Sequence, residues 1–377
     1  MNFIGSQTLE TERLILRKTI EEDLKVLWNI LLIPDVRQYY LMCKISPNWH
    51  EEEKWQYKKL ARAGNEDVFQ WSIVLKDNNK CIGQISCQES SSKNLAIRDV
   101  GWFIDPNYQG NGYAYEAASA MLDYMFRKVG IEEIRTCAAE VNKSSYLLME
   151  RLGFHRDEKR DCSLEYPYGG KQKCLAYVLN KNEYISDGKI KLRKLMDNEW
   201  DYKYLHKWCS VHDVYLAFEQ RILSYEEIVD KYRPRVSDDS KMKVFFILYH
   251  YMPIGIVQYQ IVDGFCEIDI FIGENYLYNK GIGTRALTLL IEYLRNHGEW
   301  YFRMSPLKDN LRAIRCYQKV GFTTIEEETK EDSIGEIKKY LVMELVGRWV
   351  KNIIRLMKKD ISKFIKMILC GFHQFQL

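Results

Sequence analysis

Gln109-Gly110-Asn111-Gly112-Tyr113-Ala114 and Asn279-Lys280-Gly281-Ile282-Gly283-Thr284 are glycine-bearing stretches that follow apolar runs and open helix-patterned segments. Roughly thirty residues beyond each comes an Asn followed by an identically spaced Gly-Phe: Asn142 with Gly153-Phe154, then Asn310 with Gly321-Phe322. A repeat of this length reads as two complete domains. The pattern divides the chain into residues 1–182, a polar linker at 183–188, a second copy at 189–346 and a tail at 347–377.

Working outward from the loops, each copy has the same order. A short strand (13–18; 189–194) leads into helical stretches containing Trp28 or Trp208. Two strands follow, 71–76 and 81–87 in the first copy and 243–249 and 254–260 in the second. Asp77-Asn78-Asn79 and Met252-Pro253 are the expected turns between them. A fourth strand (97–104; 266–272) runs straight into the loop. Ala114, Ala118, Met121 and Met125, and Ile282, Ala286, Leu290 and Leu294, then recur at helical spacing. A further strand (134–139; 301–304), a short helix and two closing strands complete each copy. The fold class is α/β, a sheet with helices on both faces.

At 377 residues, 46% hydrophobic and 28% charged, the chain can bury two cores. No leader-like start, membrane-length apolar run, Cys-x-x-Cys pair or Cys/His cluster stands out. These features predict a reduced, cytoplasmic protein without a metal. The net charge of +3 is concentrated: seven Lys or Arg and one Asp between 348 and 366 contribute +6, leaving −3 elsewhere. The repeated body therefore offers no basic face for nucleic acid. The tail places Ile353, Met357, Ile361, Phe364 and Ile368 along one helical face, with lysines opposite. Residues 348–369 would suit a membrane surface or another subunit, and equally packing on the second domain. The sequence leaves the oligomeric state open.

In a strand–glycine loop–helix unit, glycine lets backbone approach a ligand, and the helix N-terminus presents N–H groups to an anion. One such loop is weak evidence; two in the same context predict a diphosphate grip. A nucleotide P-loop would need Lys-Ser/Thr after the second glycine, which neither copy has. A dinucleotide-binding fold would place the loop after its first strand, not its fourth.

Gln109, Gly112 and Ala114 in the first copy, and Gly281 and Gly283 in the second, resemble the acetyl-CoA loop of the GNAT superfamily of N-acetyltransferases. Tyr278 occupies that family's usual Gln/Arg position. The first copy's 9–17 segment Leu-Glu-Thr-Glu-Arg-Leu-Ile-Leu-Arg, Val100-Gly101-Trp102 and the 142–154 segment are similar to ribosomal-protein alanine acetyltransferases. The 269–274, 280–285 and 310–322 segments of the second are similar to aminoglycoside 6′-N-acetyltransferases. Ser305 and Asn275 depart from that pattern. The resemblance implies two consecutive GNAT-type domains, each a mixed, mostly antiparallel sheet flanked by helices, plus a C-terminal amphipathic helix. It also implies acetyl-CoA as co-substrate and a small-molecule amine as acceptor. An aminoglycoside 6′-amine, and so antibiotic resistance, is the first expectation; protein N-termini, polyamines or a non-catalytic acetyl-CoA sensor are the rivals.

The cofactor contacts it implies are Gln109, Gly110, Asn111, Gly112, Tyr113, Ala114 and Asn142 in the first copy. In the second they are Phe271, Ile272, Asn279, Lys280, Gly281, Ile282, Gly283, Thr284 and Asn310. Aligning Phe103 with Phe271 sets Asp99 opposite Glu267 and Gly101 opposite Asp269, so the second copy has two carboxylates on one strand face. Mutual repulsion would raise one of their pKa values. Asp269 is then the expected base and Glu267 its support, although a solvated strand face would alternate in the same way. Tyr317, seven residues after Asn310, is the expected proton donor to the leaving thiolate, with core packing as the plainer alternative. The first copy has Met149 there, leaving Ser145 or water. A backbone N–H near Phe103 or Phe271 would stabilise the oxyanion, helped by any strand bulge.

Overall fold

The computed structural model describes residues 1–41, 44–90, 92, 94–211, 214, 221–331 and 335–347. The expected tail helix lies outside the described residues. By contact density the chain forms two compact units. One is Met1–Arg193 with His250–Met252; the other is Lys194–Tyr249 with the described residues from Pro253 onward.

The first unit runs β1 (Leu9–Glu10), β2 (Leu14–Arg17), α1 (Glu21–Leu32), α2 (Pro34–Arg37), α3 (Trp49–Arg62), β3 (Phe69–Leu75), β4 (Cys81–Glu89) and β5 (Ile97–Ile104). It continues through α4 (Tyr113–Tyr124), β6 (Glu133–Ala139), α5 (Lys143–Leu152), β7 (His155–Arg156), β8 (Cys162–Tyr166) and β9 (Gly170–Asn180). Its sheet has the order β1-β2-β3-β4-β5-β6-β9-β7, with β8 beside β9. Only β5 and β6 pair in parallel among the ladders of this sheet.

The following elements are β10 (Ile185–Ser186), β11 (Ile190–Lys194), α6 (Glu199–Cys209), α7 (Tyr225–Tyr232), β12 (Met242–Tyr249), β13 (Met252–Val262) and β14 (Phe265–Ile272). Then come α8 (Ile282–Asn296), β15 (Tyr301–Met304), α9 (Leu311–Val320), β16 (Thr323–Glu331) and β17 (Ile337–Val346). The second sheet has the order β10-β11-β12-β13-β14-β15-β17-β16, with β14 parallel to β15. Two mixed sheets flanked by helices are the α/β architecture expected.

One local reading changes. The β12–β13 turn sits at His250-Tyr251, whose φ values of 46° and 65° make the reversal; Met252 and Pro253 already belong to β13. Glu326-Glu327-Glu328 lies on β16, where Glu327 pairs with Lys308 at 2.6 Å.

The repeated Asn…Gly-Phe spacing is a helix with both ends fixed. Asn142 and Asn310 are the N-caps of α5 and α9, accepting from Ser145 N (3.3 Å) and Ala313 N (3.1 Å). Gly153 and Gly321, at φ 98° and 109°, end those helices in the left-handed conformation. Phe154 N then donates to Met149 O and Phe322 N to Tyr317 O, closing the six-residue loop of a Schellman cap. Both phenylalanines are buried beneath the cap. The spacing is thus set by a helix of ten residues.

A second shared device opens the sheet. β5 pairs with β6 only from Ile97–Asp99 to Glu133–Arg135, and β14 with β15 only at Cys266–Glu267 and Phe302–Arg303. Beyond those points the parallel strands continue unpaired and diverge. On the other side of β5 and β14, the antiparallel ladders with β4 and β13 remain in continuous register, without a bulge. Where those ladders end, a Cβ on Gly83 would lie 2.2 Å from Phe103 O, and one on Gly255 would lie 2.2 Å from Phe271 O. Only glycine permits the outgoing strand to cross so closely.

Gly255→Ala should therefore cost about 1–3 kcal/mol through the forced backbone shift. A urea titration would show a lower midpoint with unchanged slope. Gly64→Ala, whose Cβ meets open space, should stay within about 0.5 kcal/mol of the parent.

Candidate active site

Both glycine loops place a left-handed residue two positions before a left-handed N-cap. Gly110 (φ 76°) precedes Gly112 (φ 80°), and Asn279 (φ 61°) precedes Gly281 (φ 76°). Gly112 and Gly281 are the N-caps of α4 and α8. The first capping-turn bonds run from Glu116 N to Gly112 O and from Arg285 N to Gly281 O. Helix geometry directs the preceding amides out along the axis, where the positive end of the helix dipole favours an anion. A Cβ at Gly110 or Gly281 would meet open space, so these glycines serve backbone conformation rather than clearance. Gly283 differs: its Cβ would come 3.3 Å from Cys316 Sγ, so it lets α9 approach α8.

In the first domain the loop is held by its own side chains. Gln109 Nε2 donates to Ile104 O at 3.0 Å, and Asn111 Nδ2 to Tyr108 O and Gln109 O. The Leu-Glu-Thr-Glu-Arg segment acquires a physical role here. Buried Glu116 accepts from Thr11 Oγ1 (2.5 Å), Arg13 N (2.9 Å) and Arg13 Nε (2.7 Å), while Arg13 Nη1 donates to Asn111 O at 2.9 Å. The N-terminal strand thereby clamps both the loop and the helix behind it. In the second domain the Arg312 guanidinium lies 3.8 Å over the Tyr278 ring, so the residue in the Gln/Arg position is fixed by stacking.

The pairing of β14 decides which backbone groups face the split. Gly273 N donates to Ile254 O, and the register is continuous from there. Antiparallel alternation turns the Asp269 and Phe271 amides toward β13, and those of Ile270 and Ile272 toward the opening. In the first domain, Asp105 N to Ile82 O fixes the same phase, so Trp102 and Ile104 face outward from the ladder. Thr136 Oγ1, donating to Val100 O at 3.1 Å, bridges the strands just past their divergence. The amide available to an oxyanion therefore belongs to a neighbour of Phe103 or Phe271, since alternation rather than a bulge sets its direction.

Asp269 and Glu267 stand on one face of β14, directly opposite Gln258 and Gln260 of β13. Gln258 Nε2 donates to Asp269 Oδ2 at 3.2 Å, and Gln260 Nε2 to Glu267 Oε2 at 2.7 Å. Arg235, in the turn after α7, donates through Nη1 to Gln258 Oε1 at 3.0 Å. Asp269 is exposed to solvent, while the protein atoms around it partly desolvate its carboxylate. That desolvation is the main reason its carboxyl is pushed above the usual range. The Gln258 hydrogen bond opposes the rise, Glu267 adds to it, and Arg235 and Lys231 oppose it. Repulsion between the carboxylates, the cause expected from the sequence, is thus the lesser one.

Tyr317, on α9, is 7% exposed and within electrostatic range of Asp269. Burial pushes its phenol far above the ordinary value, with Cys316 and Asp269 adding to the shift. The first domain puts Met149, 1% exposed, at this helix position. It has Gly101 opposite Ser86 where the second has Asp269 opposite Gln258. Asp99 stands opposite Gln88 of β4 at the last position where β5 pairs with β6. Ser145 is in the first turn of α5, a full turn before Met149.

Sequence reading missed Gln258, Gln260, Arg235, Glu116 and the crossing glycines. The Ile-Gly pairs at 82–83 and 254–255 were a usable repeat signal; Arg235 joins the site only through the fold. Among the described residues, no cluster of His, Cys, Asp and Glu could hold a metal, and no helix is long and apolar enough to cross a membrane.

Taken together, split sheet and capped loop define an acetyl-CoA-dependent acyltransferase. A family model described as "Acetyltransferase (GNAT) domain" matches residues 13–155, and one described as "Acetyltransferase (GNAT) family" matches residues 203–322. Both halves of the chain therefore belong to the GNAT acetyltransferases, in tandem. The uncharacterized N-acetyltransferase YnaD of Bacillus subtilis strain 168 is 28% identical over 150 residues, 40% of this chain and 83% of YnaD. The ribosomal-protein-S5-alanine acetyltransferase of Vibrio fischeri is 18% identical, covering 47% of this chain and 97% of that one at a TM-score of 0.41. Aminoglycoside acetyltransferase AAC(6′)-Ib in complex with coenzyme A is 21% identical, covering 43% and 98% at 0.37.

Glu116→Gln keeps the volume but removes the charge-assisted bonds to Arg13. It should cost about 1–3 kcal/mol of stability and weaken coenzyme A binding several-fold in calorimetric titration of the full chain. Lost stability with unaltered binding would make the clamp a packing element only.

Proposed function

We propose that the second domain transfers the acetyl group of acetyl-CoA to a primary amine, with Asp269 as base. The reading is carried by the convergence of Asp269, its Gln258–Arg235 support and Tyr317 at the divergence of β14 from β15. Acetyl-CoA supplies the activated carbonyl, and amides 279–284 with the Asn310 amide side chain are the groups proposed to hold it. Amides 109–114 and Asn142 would do the same in the first domain.

An alkylammonium must lose a proton before it can attack a thioester. A carboxylate with a raised pKa is a stronger base than an unperturbed one, and Glu267 beside it favours an incoming ammonium. The Ile270 or Ile272 amide stabilises charge developing on the carbonyl oxygen, a contribution of about 3–4 kcal/mol at comparable sites. Tyr317 remains protonated at any working pH. Its raised pKa exceeds that of a thiol, about 8.5, so its role is hydrogen-bond donation to the departing sulfur rather than full proton transfer.

The first domain, with Gly101 and Met149, keeps the cofactor frame while leaving only Asp99 and Ser145 as candidate polar groups, and is the slower catalyst. The division at 1–182, 183–188 and 189–346 belongs to this reading, as does a cytoplasmic setting where acetyl-CoA is supplied. The aminoglycoside 6′-amine rests on motif likeness in the second domain and is one acceptor to test.

Asp269→Asn should lower kcat about 100-fold or more while leaving the acetyl-CoA dissociation constant within about threefold, read by free-thiol release and calorimetry. Unchanged turnover would remove Asp269 as base. Tyr317→Phe should slow thiol release about tenfold, in line with one lost transition-state hydrogen bond.

The acid limb of kcat/KM should lie above the ordinary aspartate pKa of about 3.9. The sign follows from protonation: below its raised pKa, Asp269 is neutral and cannot accept the amine proton. A pH–rate profile in which this limb persists in Asp269→Asn would assign it elsewhere.

A further inference from the structure

We infer that the second domain's acceptor is an amino-carboxylate, an amine with an anionic carboxylate close by, rather than a polycation. The inference rests on the catalytic reading just given. Its basis is the charge arrangement around the proposed base. Arg235 is joined to Asp269 through Gln258 by two successive hydrogen bonds, of 3.0 and 3.2 Å, so the guanidinium is a near neighbour of the carboxylate. Lys231, one turn earlier, acts on Asp269 in the same electrostatic sense.

At the last paired position of the parallel ladder, Arg303 stands opposite Glu267 and pairs with Glu344 at 2.8 Å. The face therefore sets three carboxylates, Glu267, Asp269 and Glu344, against three cations, Lys231, Arg235 and Arg303. It is a mosaic of both signs rather than an acidic funnel.

An ammonium can approach Asp269 and Glu267, but further positive charge on the same ligand would meet Arg235 and Lys231. A carboxylate there is matched instead. Arg235 is half-buried, lies 4.8 Å from the Tyr232 ring centroid and directs Nη1 at Gln258. A guanidinium held by stacking and one hydrogen bond is preorganised for planar carboxylate recognition through its other donors. The near-balanced 23 Lys/Arg and 24 Asp/Glu of residues 189–346 likewise supply no bulk attraction for a polycation.

The test uses the full chain with acetyl-CoA and compares the protein α-amino acids with their α-carboxamides, alongside kanamycin. At least one carboxylate should exceed its carboxamide by tenfold or more in kcat/KM. Arg235→Ala should bring that ratio toward one, and Arg235→Lys should restore part of it. A merely structural Arg235 would lower both members equally and leave the ratio unchanged. Equal use of carboxylate and carboxamide, or kanamycin surpassing every carboxylate, overturns the inference while leaving the amine acetyltransferase reading intact. Equilibrium binding of the same pairs to the coenzyme A-saturated chain provides a readout without turnover. Tenfold preference for a carboxylate, lost in Arg235→Ala, supports the inference, and equal binding overturns it. Absence of thiol release with every amine would instead count against the catalytic reading.

Discussion

Everything at the second domain's site depends on two parallel strands being prevented from pairing along their whole length. β14 meets β15 at two residue pairs and then leaves it, while remaining bound to β13 on its other side. Unpaired backbone within a sheet is costly unless another partner is supplied. The sheet sustains the opening because the outgoing strand is anchored elsewhere: it crosses Gly255 with no room for a Cβ, and Gly273 abuts Trp208, whose indole donates to Glu274 at 3.0 Å. The first domain repeats the crossing at Gly83. A gap fixed by backbone crossing is a property of the frame and survives wide changes in the side chains lining it.

That independence explains how the two copies differ. Caps, left-handed loop residues and crossing glycines recur in both, since each answers a backbone requirement that few residues satisfy. The side chains proposed to carry catalysis answer no such requirement. Gly101 and Met149 fit the first copy's frame as well as Asp269 and Tyr317 fit the second's, and the buried methionine retains the packing of a tyrosine without its hydroxyl.

The sequence exposed the frame well. β5 and β15 have the expected bounds; Ile282, Ala286, Leu290 and Leu294 are buried together, because helical periodicity is a local signal. The Asn…Gly-Phe spacing was legible as a repeat, but its meaning as two caps on one helix required backbone dihedrals. Gln258 and Gln260 were hidden for a different reason. Their importance comes from cross-strand register, which no single strand contains. Arg235 was hidden further still, since a turn after α7 meets the sheet only through tertiary packing.

Charge at Asp269 shows why position outweighs residue count. Two carboxylates two residues apart on a strand suggested mutual repulsion, but the larger influence is desolvation. The Gln258 bond and the nearby cations work against it. The Arg235–Gln258 chain thus favours the ionised form that the proposed base requires. Tyr317 lacks any comparable opposing group. Its burial and its anionic neighbour act in the same direction, fixing the hydroxyl as a donor. The two groups therefore differ in character: Asp269 is the proposed proton acceptor, and Tyr317 the proposed hydrogen-bond donor.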